Sequence, residues 1–226
     1  MTIAVIIPTY NRLELTQNCL NSIARHDPVD EIIVVDNGST DGTEKLATIA
    51  NAHNLGFAAA CNQGARHATA DRLIFLNNDT IVHPNWTSHT NHLDDPTVGI
   101  VGPKLIYPDC QIQSAGVAID FNRPPGLEAW NLTIDWSSEL IDVDAITGAC
   151  LSIRADTFHS LGGFDEGYWN GYEDVDLCLA AVDAGFRNVY DPHATVTHLE
   201  SQSGSERWSA VAENVTRLRT KWSPTK

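Results

Sequence analysis

The run Arg72-Leu73-Ile74-Phe75-Leu76 stops abruptly on Asn77-Asn78-Asp79-Thr80, and this break narrows the architectures open to the chain. Four consecutive large apolar residues present no polar face to water. They read as a strand buried on both sides, as in the middle of a parallel α/β sheet. Asp79 then stands at the strand's carboxyl end, the edge where the loops of an open α/β sheet diverge into a ligand crevice. A carboxylate there has two readings. It closes the strand with an Asx-type turn, or it holds a divalent cation that in turn holds a diphosphate.

The preceding residues repeat the theme. Ile3-Ala4-Val5-Ile6-Ile7 is a β-branched buried strand, cut off by Pro8, with Thr9-Tyr10-Asn11 as its outgoing loop. Asn11 and Glu14 resemble a capping box, and Leu15, Cys19, Leu20 and Ile23 recur at helical spacing, which predicts a helix from about Arg12 to Arg25. Glu31-Ile32-Ile33-Val34-Val35 is a second buried strand, and the cap-rich turn Asp36 to Thr43 predicts a helix near Glu44 to Ala50. Strand, loop and helix alternating at this spacing imply right-handed crossovers and a parallel sheet. Asp36, Thr9-Tyr10 and Asp79 then share one sheet edge.

Charge and length limit the partners. A chain of 226 residues with 42% hydrophobic content suits a single α/β domain. The formal charge of −15, with no cluster of Lys and Arg, argues against a nucleic-acid backbone or an anionic membrane surface as partner. A net-negative protein still binds an anionic nucleotide if a metal ion supplies local positive charge. The dispersed cysteines Cys19, Cys61, Cys110, Cys150 and Cys178 show neither metal spacing nor a disulfide pattern, and read as small core residues in a reducing compartment. There is no basic n-region at the N-terminus, and no segment reaches the roughly 18 apolar residues of a membrane span. A soluble, cytoplasmic protein without integral membrane association is expected.

A dinucleotide fold is the obvious rival. Its first turn requires G-x-G-x-x-G, yet Pro8-Thr9-Tyr10-Asn11-Arg12 has no glycine, and G-x-x-x-x-G-K-[ST] is absent from the chain. A metal-held nucleotide remains.

Several motifs together carry a resemblance. Pro8-Thr9-Tyr10-Asn11-Arg12, Val35 through Thr43, Asn54-Leu55-Gly56-Phe57 with Asn62-Gln63-Gly64, and Leu76-Asn77-Asn78-Asp79 resemble, in order, the donor half of the family 2 glycosyltransferases. Thr147-Gly148-Ala149-Cys150, Gly162-Gly163-Phe164-Asp165-Glu166, Tyr172 through Cys178, Ala184-Gly185-Phe186 and His198 are similar to the acceptor half, particularly in its rhamnosyltransferase-like branch. The resemblance implies a GT-A fold: an α/β protein whose mostly parallel central sheet is flanked by helices. It implies a donor half over about 1–100 and an acceptor half over about 101–204, with a C-terminal helix over 205–226. It also implies a nucleotide-diphosphate sugar, a UDP- or dTDP-sugar with dTDP-rhamnose among them, and Mn²⁺ or Mg²⁺. The acceptor would be a hydroxyl of a saccharide, glycoconjugate or protein.

Carried over residue by residue, Pro8, Thr9 and Tyr10 would cradle the base, with Arg12 beside them, and Asp36 would hydrogen-bond base or ribose. Asn62 would contact the nucleotide. Asn77-Asn78-Asp79 stands where the family has Asp-x-Asp, which leaves Asp79 as the metal-binding carboxylate, and His198 matches the late histidine that completes the metal site. His198 by itself reads first as a plain strand histidine at the end of Thr195-Val196-Thr197; the match at Asp79 brings the ligand reading level with it.

Glu173, Asp174 and Asp176 form a second acidic feature. They are either helix N-terminal acids favoured by the dipole or carboxylates crowded enough to serve as a base. On a helix, neighbours diverge by about 100°, so one of Glu173 and Asp174 is expected to face a crevice while the other caps or pairs. The resemblance implies Asp174 as general base of an inverting transfer, with Glu173 as the second choice. Tyr168, Trp169 and Tyr172 suit stacking on a sugar or edging a core. The irregular stretch Phe121 to Ser138, with Trp130 and Trp136, reads as a mobile acceptor loop or a stapled one. Trp208, Val211, Val215 and Leu218 predict an amphipathic helix packed on the domain. Two other functions stay open: a nucleotide-sugar or saccharide-binding protein without turnover, and a nucleotidyltransferase of related fold.

Overall fold

Successive side chains of a strand go to opposite faces, and the buried runs place apolar groups on both. Ala4, Ile6, Leu73 and Phe75 enter one core cluster, while Val5, Ile7, Ile74 and Leu76 enter another. The computed structural model describes residues 1–133, 139–199 and 210–223. In chain order its elements are β1 (Ile3–Thr9), α1 (Leu13–Arg25), β2 (Glu31–Asp36), β3 (Ile49–Ala50), α2 (Phe57–His67), β4 (Arg72–Leu76), β5 (Thr80–Val82), β6 (Val98–Ile106) and β7 (Ile112–Ser114). Then follow β8 (Val117–Ile119), β9 (Ala129–Asn131), β10 (Ile141–Val143), β11 (Cys150–Arg154), α3 (Ala155–Ser160), α4 (Glu173–Asp183), β12 (Arg187–His198) and α5 (Val211–Trp222).

The main sheet runs β10-β12-β6-β11-β4-β1-β2-β3, with β5 on β12 and β7 on β6. The ladders β4-β1-β2-β3 are parallel, as is β6 with β12. β11 inserts antiparallel between β4 and β6. This departs from a purely parallel sheet, and it matters for the site. An antiparallel strand brings its amino-terminal turn, Thr147 to Ala149, to the edge where β1, β2 and β4 end. The faces are covered by α1 with the fully buried Trp86 on one side, and by α2, α3 and α4 on the other. Phe75 packs against Phe158 and Phe164 with centroids 4.9 and 4.8 Å away. Such pairs add about 0.5–1.5 kcal/mol each beyond burial.

Several local expectations are corrected. β1 continues through Pro8 to Thr9. Thr9 accepts from the Asn37 amide on the β2 side, so the alternation points the Pro8 nitrogen toward β4, whose ladder with β1 has already stopped at Ile6 and Phe75. No donor is missed there. Asn11 forms no capping box, because it and Arg12 both take left-handed backbone. The Leu13 amide at the start of α1 is capped instead by Asp41, at 3.0 Å from another loop. The helix expected near Glu44 to Ala50 is only a 3-10 turn over Thr43–Leu46. β-Branched Thr48 is drawn to the free edge of β2, where its amide and hydroxyl both pair with Val34, and β3 follows.

Cys110 is exposed, in the turn between β6 and β7, whereas the other cysteines are buried. Within the expected acceptor loop, β9 pairs with β8, and the fully buried Glu128 is ion-paired to Arg219 of α5. Residue Trp136 of that loop and Trp208 of the tail lie outside the described residues. Among those that are described, no helix is long and apolar enough to cross a membrane.

Candidate active site

A cleft of about 210 Å³ opens at the carboxyl ends of β1, β2 and β4. Pro8, Thr9, Tyr10 and Arg12 line it from β1 and its outgoing loop, and Asn77, Asn78 and Asp79 from the end of β4. His198 closes it from the end of β12, and Glu173 and Asp174 reach it from the start of α4. These residues span the chain from Pro8 to His198, and the sheet order alone brings them together.

The Asp79 and His198 pair has the most definite chemistry. His198 Nε2 lies 3.2 Å from Asp79 Oδ1 and 3.2 Å from Asn77 Nδ2. Both side chains are largely withdrawn from solvent. On the other side of the ring, Nδ1 is 2.6 Å from Gln113 Oε1, while Gln113 Nε2 donates to the His198 carbonyl at 3.3 Å. That carbonyl only accepts, so it fixes the Gln113 amide with its oxygen toward Nδ1. Nδ1 must therefore carry a proton and donate it. In the neutral ring Nε2 then has a lone pair, with Asn77 Nδ2 and Asp79 Oδ1 both 3.2 Å from it, and imidazole nitrogen and carboxylate oxygen are both ligand atoms for a divalent cation.

The rest of the turn is built for rigidity. The Asn77 amide donates to Ala149 at 3.0 Å, and Thr80 Oγ donates to the Asn77 carbonyl at 2.7 Å. Asn78 Nδ2 donates to the hydroxyls of Thr9 and Thr16 at 3.1 and 3.0 Å, tying β4 to β1 and α1. Beneath it lies the Cys19 thiol, pushed up to about 12 by burial, so it remains a neutral packing group.

Asp36 and Asn62 do not line the cleft. Asp36 is buried and accepts from the amides of Gly38 and Ser39, as well as from the Ser39 hydroxyl. It closes its own turn, and Asn37 reaches the cleft in its place. Asn62 accepts from the Phe164 amide and donates to the Phe164 carbonyl and to Glu166. A Cβ at Gly163, whose φ is +77°, would stand 2.7 Å from Asn62 Oδ1. Asn62 thus holds the Gly163-Phe164 turn.

Both acids at the start of α4 border the cleft, against the expectation that only one would. They occupy the first turn, after Tyr172 in left-handed conformation, where side chains fold back onto preceding backbone. Glu173 Oε2 accepts from the Gly171 amide at 2.6 Å. Asp174 Oδ2 accepts from Gly148 at 2.7 Å, and its Oδ1 from Val175 at 2.8 Å. Asp176 faces away, accepting from Tyr168, Lys221 and Trp222. Trp169 and Tyr172 flank the lining residues Asn170 and Gly171 without lining the cleft themselves, and Trp130 is 39% exposed on β9 under the Arg123 guanidinium. Gln113 and Asn170 carried no sequence signal of a site; Phe57 and the Thr147 to Ala149 turn did, in the donor-half and acceptor-half motifs.

The sheet, the crevice at its carboxyl edge and the carboxylate-imidazole pair define the GT-A class. GalNAc-T7, solved with UDP, GalNAc and Mn²⁺, superposes with a TM-score of 0.81 at 19% identity, over 98% of this chain and 48% of that one. Residues 4–158 match the model of glycosyl transferase family 2, and the chain belongs to that family. It is 30% identical to the N-acetylglucosaminyl-diphospho-decaprenol L-rhamnosyltransferase of Mycobacterium tuberculosis, over 80% of this chain and 70% of that protein. It is 29% identical to the O-antigen biosynthesis protein RfbC of Myxococcus xanthus, over 93% of this chain but 18% of that protein. The chain therefore spans only a small part of that relative.

The donor set fits a divalent cation of the GT-A kind. Among the described residues no group of three His, Cys, Asp or Glu side chains could hold a metal. One carboxylate and one imidazole leave the remaining coordination positions to phosphate oxygens and water, as is usual for Mg²⁺ with a nucleotide.

Proposed function

We propose that this domain transfers a sugar, with inversion, from a nucleotide-diphosphate sugar to an acceptor hydroxyl. The observation that carries this reading is Asp79 Oδ1 standing 3.2 Å from His198 Nε2 in the cleft that Glu173 and Asp174 also border. Asp79 and His198 would hold Mn²⁺ or Mg²⁺. The cation, when bound, would neutralise negative charge developing on the leaving diphosphate.

The protein's own groups supply the rest. Pro8, Thr9, Tyr10, Arg12 and Asn37 would seat the nucleoside. Asn77 and Asn78 fix the direction of the Asp79 turn. Asp174, its oxygens held by the Gly148 and Val175 amides, would take the proton of the acceptor hydroxyl. The acceptor oxygen then bonds to the anomeric carbon as the carbon–phosphate oxygen bond breaks, its electron pair leaving on the diphosphate. Such a displacement needs the base on the face opposite the leaving group, which inverts the centre. A UDP- or dTDP-sugar fits this reading. The similarity to a rhamnosyltransferase supports dTDP-rhamnose among the donors, with a saccharide, glycoconjugate or protein as acceptor.

The test is a thermal-shift screen of nucleoside diphosphates and nucleotide sugars, with and without Mn²⁺. A true donor at 100 times its Kd stabilises by about 2.7 kcal/mol. Absence of any metal-dependent shift across UDP, dTDP, GDP and their sugars would refute the proposal.

A further inference from the structure

We propose that Asn214 of α5 is a positioning residue for the turn that carries the acidic end of the site; this rests on the transferase reading above. Asn214 is 3% exposed, and its amide engages one short segment. Its Oδ1 accepts from the Trp169 amide at 3.1 Å, and its Nδ2 donates to the carbonyls of Trp169 and Gly171 at 2.9 and 3.0 Å. It pairs with Trp169 as the peptide of a neighbouring strand would, in a place where the fold supplies no strand. Without it, part-buried backbone donors and acceptors would lose their partners.

The segment needs such a template. Asn170 and Tyr172 both have left-handed backbone, at φ of 50° and 72°, and for tyrosine this conformation is unfavourable. Its geometry propagates in two directions. The Gly171 amide donates to Glu173 Oε2, and Asn170 Oδ1 accepts from the Phe57 amide at 3.0 Å, capping α2 across 113 residues of sequence. The α5 residues Arg217 and Lys221 also bind this side of the molecule, but through the carboxylates of Asp165 and Asp176. Asn214 grips the backbone of the cleft-lining Gly171 and of Trp169 beside it, so α5 sets the placement of Glu173 and Asn170.

The experiment compares Asn214→Asp, which keeps the shape but loses both donors, and Asn214→Ala with Leu218→Ala. Leu218 is a fully buried α5 residue in the apolar cluster of Tyr168 and Val175, and its truncation weakens packing without removing a hydrogen bond to the turn. Amide exchange of Trp169 and Gly171, release of nucleoside diphosphate from a nucleotide sugar, and binding of UDP with Mn²⁺ are measured for each. Expected are exchange at least tenfold faster at Trp169 in Asn214→Ala, which loses the accepting Oδ1, and, in both Asn214 variants, turnover at least tenfold lower with a UDP Kd within twofold of wild type. Leu218→Ala should lose melting temperature with a much smaller loss of turnover. Unchanged exchange at Trp169 in Asn214→Ala overturns the clamp whatever the reaction proves to be. Turnover falling equally in Leu218→Ala, or in proportion to melting temperature, overturns the positioning role. If wild type releases no diphosphate from any donor, the transferase reading fails and the exchange result alone decides the clamp.

Discussion

His198 Nε2 and Asp79 Oδ1 stand 3.2 Å apart across 119 residues of sequence, with the opposite face of the imidazole fixed by Gln113. The pair is preorganised: the ring cannot turn without breaking the bond from its Nδ1 to Gln113 Oε1. On the reading proposed above, the imidazole and the carboxylate would meet a cation already side by side.

Removal of the carboxylate should therefore remove metal dependence. Asp79→Ala is expected to lose the Mn²⁺-dependent part of UDP or dTDP stabilisation and to keep a cooperative unfolding transition. Calorimetric titration of UDP with and without Mn²⁺ checks it. Undiminished metal-dependent binding in the variant would show that the cation sits elsewhere.

Asp174→Asn retains the shape of the side chain and removes the proton acceptor. Turnover should fall by roughly 10² or more, the scale of a lost general base, with donor affinity little changed. Steady-state kinetics and the anomeric configuration of the product together decide this. Near-normal turnover, or a product with the donor's own configuration, contradicts the assignment.

His89 gives the fold a pH dependence separate from catalysis. Burial pushes its imidazole down to about 4, with Nδ1 donating to the Trp86 carbonyl and Nε2 accepting from the Ser152 hydroxyl. The unfolded chain takes up this proton first, near the ordinary value of 6.5. Stability tied to His89 is thus complete above that value, erodes as pH falls, and is lost by about pH 4. The slope is about 1.4 kcal/mol per pH unit in that window. Urea unfolding at pH 7, 5.5 and 4.5 should show it in wild type and not in His89→Gln; parallel profiles for the two proteins would reject it.

Asp41 tests the cap on α1. The Thr43 hydroxyl, with the amides of Leu13 and Thr43, holds its carboxyl down to about 2. The depressed value means a contribution present above the ordinary 3.8 and lost as pH falls through about 2. Because the group is exposed, Asp41→Ala should cost only about 0.5–1 kcal/mol at pH 7. The difference from wild type should shrink between pH 4 and 2. A gap that persists in acid would assign the effect to something other than the charged cap.

The sequence by itself determined the strands, because burial on both faces demands apolar runs that need no partner to be recognised. It determined that β1, β2 and β4 run parallel, and that Asp79 ends β4 at a ligand-bearing edge. The absence of glycine after β1 excluded a dinucleotide cradle for a local steric reason. Tertiary structure decided what each polar side chain does, since a hydrogen bond depends on neighbours that may be a hundred residues away. Asp36 and Asn62 stood in motifs as promising as Asp79, yet one closes its own turn and the other holds Phe164. The segment after Asp41 had helical composition, but the open edge of β2 captured Thr48 and Ile49 for the sheet. The antiparallel insertion of β11, the second-side bond from Gln113 to His198 and the Asn214 clamp leave no local trace. Each exists only because the sheet order brings distant segments to one edge.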